Sequence, residues 1–60
     1  MTRKDYQVFA SMLASLRADA RASDDTALLE CLAIIVNRCA DLFARDNPRF
    51  SRTRFLLACQ

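Results

Sequence analysis

The three cysteines are the side chains that would first suggest nucleophilic or metal chemistry in this sequence. They are Cys31, Cys39 and Cys59, and the chain contains no histidine. Without histidine there is no Ser-His or Cys-His pair to activate a nucleophile. No CxxC pair is present, whereas a structural zinc site needs about four Cys or His ligands at close spacing. The residues predict a non-enzymatic protein with no metal and no cofactor.

The spacing of the cysteines also argues against a disulfide within the chain. Cys31 and Cys39 fall in one predicted helix, where eight positions span roughly 12 Å. A disulfide needs Cα atoms within about 7 Å of one another. An odd number of cysteines among apolar neighbours is typical of reduced thiols in a cytoplasm. Of the three, Cys59 beside the C-terminus is the one we expect to be open to oxidation between chains.

The segment from Asn47 to Phe55 interleaves arginines with aromatic residues. Arginine offers a planar fork of donors and stacks on rings, so this segment could bind an acidic protein surface or phosphate. The alternative is that the two phenylalanines pin a short helix to the core while the arginines are solvated. The candidate partner-binding residues are Arg49, Phe50, Arg52 and Arg54.

Three helices are needed to position these side chains. The first is predicted over about residues 3–20, with Thr2 as its N-cap and apolar residues at steps of three and four. The second is predicted over about 24–45, with Ser23 as its N-cap. Pro48 ends that helix, and Ser51 caps a third over about 52–59. We therefore expect one all-α domain, residues 1–60, with a long central helix.

The second helix carries a wide apolar arc, about half of its circumference. A surface helix typically needs a stripe of about 100°. Two short neighbours can hardly cover the rest, so we expect a homodimer or a foreign partner to complete the fold. The predicted core or dimer spine is Leu28, Leu32, Ile35, Val36, Cys39, Leu42 and Phe43.

The amino-acid composition limits the classes of protein to which this chain can belong. A chain of 60 residues that is 53% hydrophobic is one small folded domain rather than a disordered tail. The net charge of +2 is too small to indicate nucleic acid by itself. The longest apolar run, 27–36, contains Glu30 and is shorter than the roughly 20 residues of a membrane span. No signal peptide follows the basic residues 1–4, so we expect a cytoplasmic protein.

Both ends of the sequence contain distinctive motifs. The chain opens with MTRKDY at residues 1–6 and closes with NPRF at 47–50 and RFLLAC at 54–59. These motifs resemble a family of short uncharacterised proteins of bacteriophages, prophages and other mobile elements, which typically close on NPRFDRxRFLxAC. Ser51 stands where that family often carries Asp, and either residue can cap a helix. The resemblance implies a phage-like origin and a bacterial host cell, but no chemistry.

Two classes of function are compatible with these residues. The first is a protein-binding module that blocks or modulates a host complex, as inhibitors of bacterial defence systems such as anti-CRISPR proteins do. The second is a small nucleic-acid-binding regulator that uses the basic segment Arg49–Arg54. Nine basic and seven acidic residues nearly balance, which favours the first.

Overall fold

The computed structural model describes residues 1–60 and contains three α-helices, each packed against the other two. They are α1 (Arg3–Ala22), α2 (Thr26–Asp46) and α3 (Arg52–Ala58), and no strand is present. The predicted all-α fold with a long central helix is confirmed. None of the three helices has an apolar stretch long enough to cross a lipid bilayer.

Helix α1 begins at a capping box, and Thr2 is its N-cap, as the sequence predicts. The backbone N–H of Thr2 donates to the Asp5 carboxylate at 2.9 Å, and the Asp5 N–H donates to the Thr2 hydroxyl at 3.3 Å. The hydrogen bond from the Thr2 backbone is the main reason that the pKa of Asp5 lies below its ordinary value. Two otherwise unpaired backbone donors at the helix start are thereby satisfied.

The start of α2 differs from the prediction. Ser23 does not cap α2. It is the C-cap of α1, and its hydroxyl donates to the Asp19 carbonyl at 2.8 Å. Asp25 is the N-cap instead, since its side chain accepts the Leu28 N–H at 3.0 Å. Both residues are good caps, so local sequence alone does not decide which one is used.

The turn between α1 and α2 is a Schellman motif built without glycine. The N–H of Asp25 donates to the Ala20 carbonyl at 2.9 Å, and the N–H of Asp24 donates to the Arg21 carbonyl at 3.1 Å. Asp24 takes the left-handed conformation, with φ at 54°, at the position where glycine is usual. The motif reverses the chain within three residues and makes α1 and α2 an antiparallel hairpin.

Helix α3 is tied down at both ends. Ser51 is its N-cap, as predicted, and accepts the Arg54 N–H at 3.3 Å. At the other end, Arg17 of α1 donates to the Cys59 carbonyl at 3.2 Å, and Arg21 reaches the Gln60 carbonyl at 3.5 Å. Cationic side chains at a helix C-terminus satisfy its free carbonyls and interact favourably with the negative end of the helix dipole. These contacts fix a helix of only seven residues against the hairpin.

An aromatic cluster joins the three helices at one end of the molecule. Tyr6 near the start of α1 lies 4.9 Å from Phe43 near the end of α2, measured between ring centroids. Phe43 contacts Phe55 of α3 at 5.4 Å and Phe50 at 5.6 Å, both edge-to-face. Such pairs stabilise beyond the area that they bury. The buried core comprises Ala10, Leu13, Ala20, Leu32, Val36, Ala40, Phe43, Phe55 and Cys59.

Candidate functional site

A cleft of about 530 Å³ opens between the first half of α1, the connection after α2, and α3. Its lining includes Arg3, Arg49 and Arg54, and its apolar part includes Phe50 and Phe55. Arg49 is positioned by the turn after α2, where its N–H donates to the Asn47 side chain at 3.0 Å. We call this feature the arginine cleft.

The arginine cleft is positively charged without compensation. None of its lining residues is acidic. The single ion pair of the molecule joins Arg52 to Asp41, so Arg3, Arg49 and Arg54 have no carboxylate partner. Each guanidinium presents a planar fork of donors that matches a carboxylate or a phosphate. Three such groups beside the apolar rings of Phe50 and Phe55 can bind a partner surface on which an anionic group lies next to an apolar one.

Arg52 does not belong to the cleft, although it lies between two residues that do. Its guanidinium pairs with the Asp41 carboxylate of α2 and donates to the Asn37 side-chain oxygen at 3.1 Å. Of the four predicted partner-binding residues, the structure brings together Arg49, Phe50 and Arg54. Phe50 is half-buried in the aromatic cluster, so its ring is both a core residue and part of the cleft wall.

A second exposed feature lies on the hairpin itself. Three apolar side chains of α1 and three of α2 are each between 39% and 55% exposed. The three of α1 recur at steps of three and four, and the three of α2 recur at seven, so each set lies along one side of its helix. We call these residues the hairpin face: Phe9, Met12, Leu16, Leu28, Ile35 and Leu42.

The hairpin face points away from α3. On α2, Asn37 meets Arg52 of α3, and Ile35 lies roughly 160° from Asn37 around the helix axis at about 3.6 residues per turn. On α1, Arg17 meets the end of α3, and Met12 lies about 140° from Arg17 by the same geometry. The two sets of apolar side chains therefore lie on the same side of the hairpin and form one surface.

The predicted spine of α2 divides between the core and this surface. Leu32, Val36 and Phe43 are buried, and Cys39 is half-buried against them. The other three members, which are Leu28, Ile35 and Leu42, are exposed. The division arises because α1 and Phe55 of α3 cover one part of the apolar arc, while the rest of α3 lies toward the polar side of α2, where Arg52 meets Asn37 and Asp41.

The cysteines differ from expectation in one respect. Cys59 is fully buried, and this burial raises the pKa of its thiol, so it is not the thiol open to oxidation between chains. Its burial follows from the contact between Arg17 and the end of α3, which holds the C-terminus against α1. Cys31 is the exposed cysteine, and all three are free thiols.

No group of three or more Cys, Asp or Glu side chains is arranged to hold a metal ion. Comparisons with protein-family models, with curated proteins and with solved structures gave no match.

Proposed function

We propose that this protein is a non-enzymatic binding module that occupies an acidic surface of a host protein or complex. The arginine cleft carries the proposal, because it gathers three unpaired cations beside an apolar floor. The resemblance of the motifs at both ends of the chain to phage and mobile-element proteins supports the further proposal that this activity takes place in the cytoplasm of a bacterial host. An inhibitor of a bacterial defence system, such as an anti-CRISPR protein, is the specific form that we propose.

The composition of the cleft is that of a protein-binding hot spot. Arginine and tyrosine are enriched among the few side chains that contribute most of the binding energy of protein interfaces, and phenylalanine is enriched in interfaces generally. Phe50 and Phe55 are held rigid by the aromatic cluster, so little side-chain entropy is lost when a partner covers them. Arg49 and Arg54 would pair with carboxylates of the partner at the rim of this apolar contact.

A pull-down from host lysate with matched charge variants tests the proposal. The double variant Arg49→Glu/Arg54→Glu reverses two charges in the cleft. The control Arg38→Glu/Arg45→Glu makes the same change on exposed arginines of α2 outside the cleft. We expect the wild type and the control to retain one stoichiometric protein partner, identified by mass spectrometry, and the cleft variant to lose it. Equal recovery with both variants would refute a role for the cleft.

The same three arginines are the basis of a second candidate function, a small nucleic-acid-binding regulator. Three phosphate contacts would give a slope of about −2.7 for log K against log salt concentration. The pairing of Arg52 with Asp41 and the seven residues of α3 weigh against this function, because little of the basic segment is free to lie along a groove. A gel shift with no salt-sensitive complex would eliminate it.

A further inference from the structure

We infer that the hairpin face is the interface with a second copy of this chain, which pairs two hairpins into a four-helix bundle. This inference goes beyond the proposed function, because the pairing does not depend on what the arginine cleft binds. Its six side chains carry no charge and lie on one side of two antiparallel helices.

The surface area of the single chain is larger than that of a compact monomer. The accessible surface is 4470 Å², and the molecule extends over 36 × 18 × 15 Å. A monomer of 6.8 kDa is expected to expose about 3950 Å². A stable interface takes about 800 Å² from each partner, which is roughly a fifth of the present surface. A dimer through the hairpin face would remove this excess.

The choice of a second copy follows from the chemistry of the face. Its six members are all apolar, and the charged side chains that surround Leu42, which are Arg38, Asp41 and Arg45, carry both signs. Two-fold pairing places each apolar side chain of one copy against apolar side chains of the other. Domains of this size usually need a disulfide, a metal or a second subunit for stability. The cysteines are free and no group of side chains is arranged to hold a metal, so of these three sources a second subunit is the one that the structure is compatible with.

The position of α3 is compatible with this assembly. Since α3 packs on the opposite side of the hairpin, it stays outside the bundle and does not obstruct the pairing. The arginine cleft lies on that outer side, so the dimer would present two clefts. Antiparallel hairpins that pack face to face form the common four-helix arrangement.

Two adjacent isoleucines of α2 provide a matched test. Ile35 belongs to the hairpin face, whereas Ile34 is 59% exposed and lies about 100° further around the same helix, at about 3.6 residues per turn. Light scattering should give the wild type and Ile34→Asp twice the 6.8 kDa of a single chain. Ile35→Asp should give a single-chain mass with helical circular dichroism retained. A monomeric wild type, or a dimeric Ile35→Asp variant, would overturn the inference.

A second measurement avoids the risk that a variant fails to fold. Isotope-filtered NMR on a mixture of labelled and unlabelled wild-type chains reports contacts between copies alone. We expect intermolecular contacts from the methyl groups of Ile35 and Leu42 and none from those of Ile34. A dimer whose intermolecular contacts fall on Ile34 or on Leu57 of α3 would show that another surface mediates the pairing.

Discussion

The guanidinium group of Arg52 lies between two helices and contacts both the carboxylate of Asp41 and the amide oxygen of Asn37. Its neighbours along the chain, Arg49 and Arg54, have no such acceptors and line the arginine cleft. The side chain of Arg52 is 41% exposed, so solvent screens the ion pair and limits its contribution to stability. Arg52 therefore links α3 to α2 rather than contributing to the partner-binding site.

A double-mutant cycle measures this link. Arg52→Ala and Asp41→Ala, separately and together, should show a coupling of about 0.2–1 kcal/mol in the free energy of unfolding by urea. Arg54→Ala combined with Asp41→Ala should show none, because the two side chains share no contact. Absence of coupling in the first cycle would mean that the pair of Arg52 and Asp41 does not hold α3 against α2.

The cysteines should differ in reactivity according to their burial. A thiol reacts as its thiolate, and Cys59 is both buried and raised in pKa, whereas Cys31 is exposed. In dilute protein, where single chains predominate, iodoacetamide should modify Cys31 and leave Cys59 unmodified until denaturant is added. Peptide mass spectrometry over time checks this, and early modification of Cys59 would show that α3 detaches from the hairpin in solution.

At the scale of the helices, Asp24 takes the left-handed conformation that glycine usually adopts at the end of a helix, and the chain contains no glycine. The left-handed conformation costs most L-residues roughly 1–2 kcal/mol, although Asp tolerates it better than most. Glycine removes this cost but adds about 0.4–1 kcal/mol of entropy to the unfolded chain. The strain that glycine would relieve slightly exceeds the unfolded-state entropy that it would add, so the free energy of unfolding should rise a little.

Asp24→Gly should therefore stabilise the protein by up to about 1 kcal/mol. Ser23→Gly, one residue earlier, is the control, because Ser23 already has a right-handed conformation with φ at −88°. That variant should be destabilised, since it adds unfolded-state entropy and loses the hydrogen bond from the Ser23 hydroxyl to the Asp19 carbonyl. Urea unfolding compares the two, and destabilisation by Asp24→Gly would mean that the aspartate side chain contributes more than its backbone strain costs.

The turn between α1 and α2 is the place where local sequence patterns stop predicting the helix boundaries. The caps at Thr2 and Ser51 and the three helices follow from local patterns, and their ends lie within two residues of the prediction. The start of α2 could not be predicted in this way, because a Schellman turn without glycine has no clear sequence signal. Ser23 and Asp25 are equally good caps, and the left-handed residue between them decides which is used.

The candidate site was predictable where it is local in sequence and not where it depends on packing. Arg49 and Arg54 were identifiable from their spacing with the aromatic residues. Arg3 joins them only because α1 and α2 are antiparallel, which brings the start of α1 beside the end of α2. Likewise, the apolar arc of α2 indicates an excess of apolar surface, but the position of α3 decides that Ile35 and Leu42 are the exposed part.

At the scale of the whole molecule, only 9 of 60 residues are buried, and the shape is elongated. A single chain with so small a core has little free energy with which to offset its conformational entropy. If two chains pair through the hairpin face, part of the folding stability comes from association and depends on protein concentration.

The midpoint of thermal unfolding should therefore rise with the concentration of the wild-type protein. Mass action favours the folded dimer over unfolded single chains as concentration increases. Ile34→Asp should keep this dependence, because Ile34 lies outside the hairpin face. Ile35→Asp should show a midpoint that is lower and independent of concentration, since its unfolding would involve one chain only. Circular dichroism over a dilution series measures all three proteins, and a wild-type midpoint that does not move with concentration would mean that the single chain is stable with its hairpin face exposed to water.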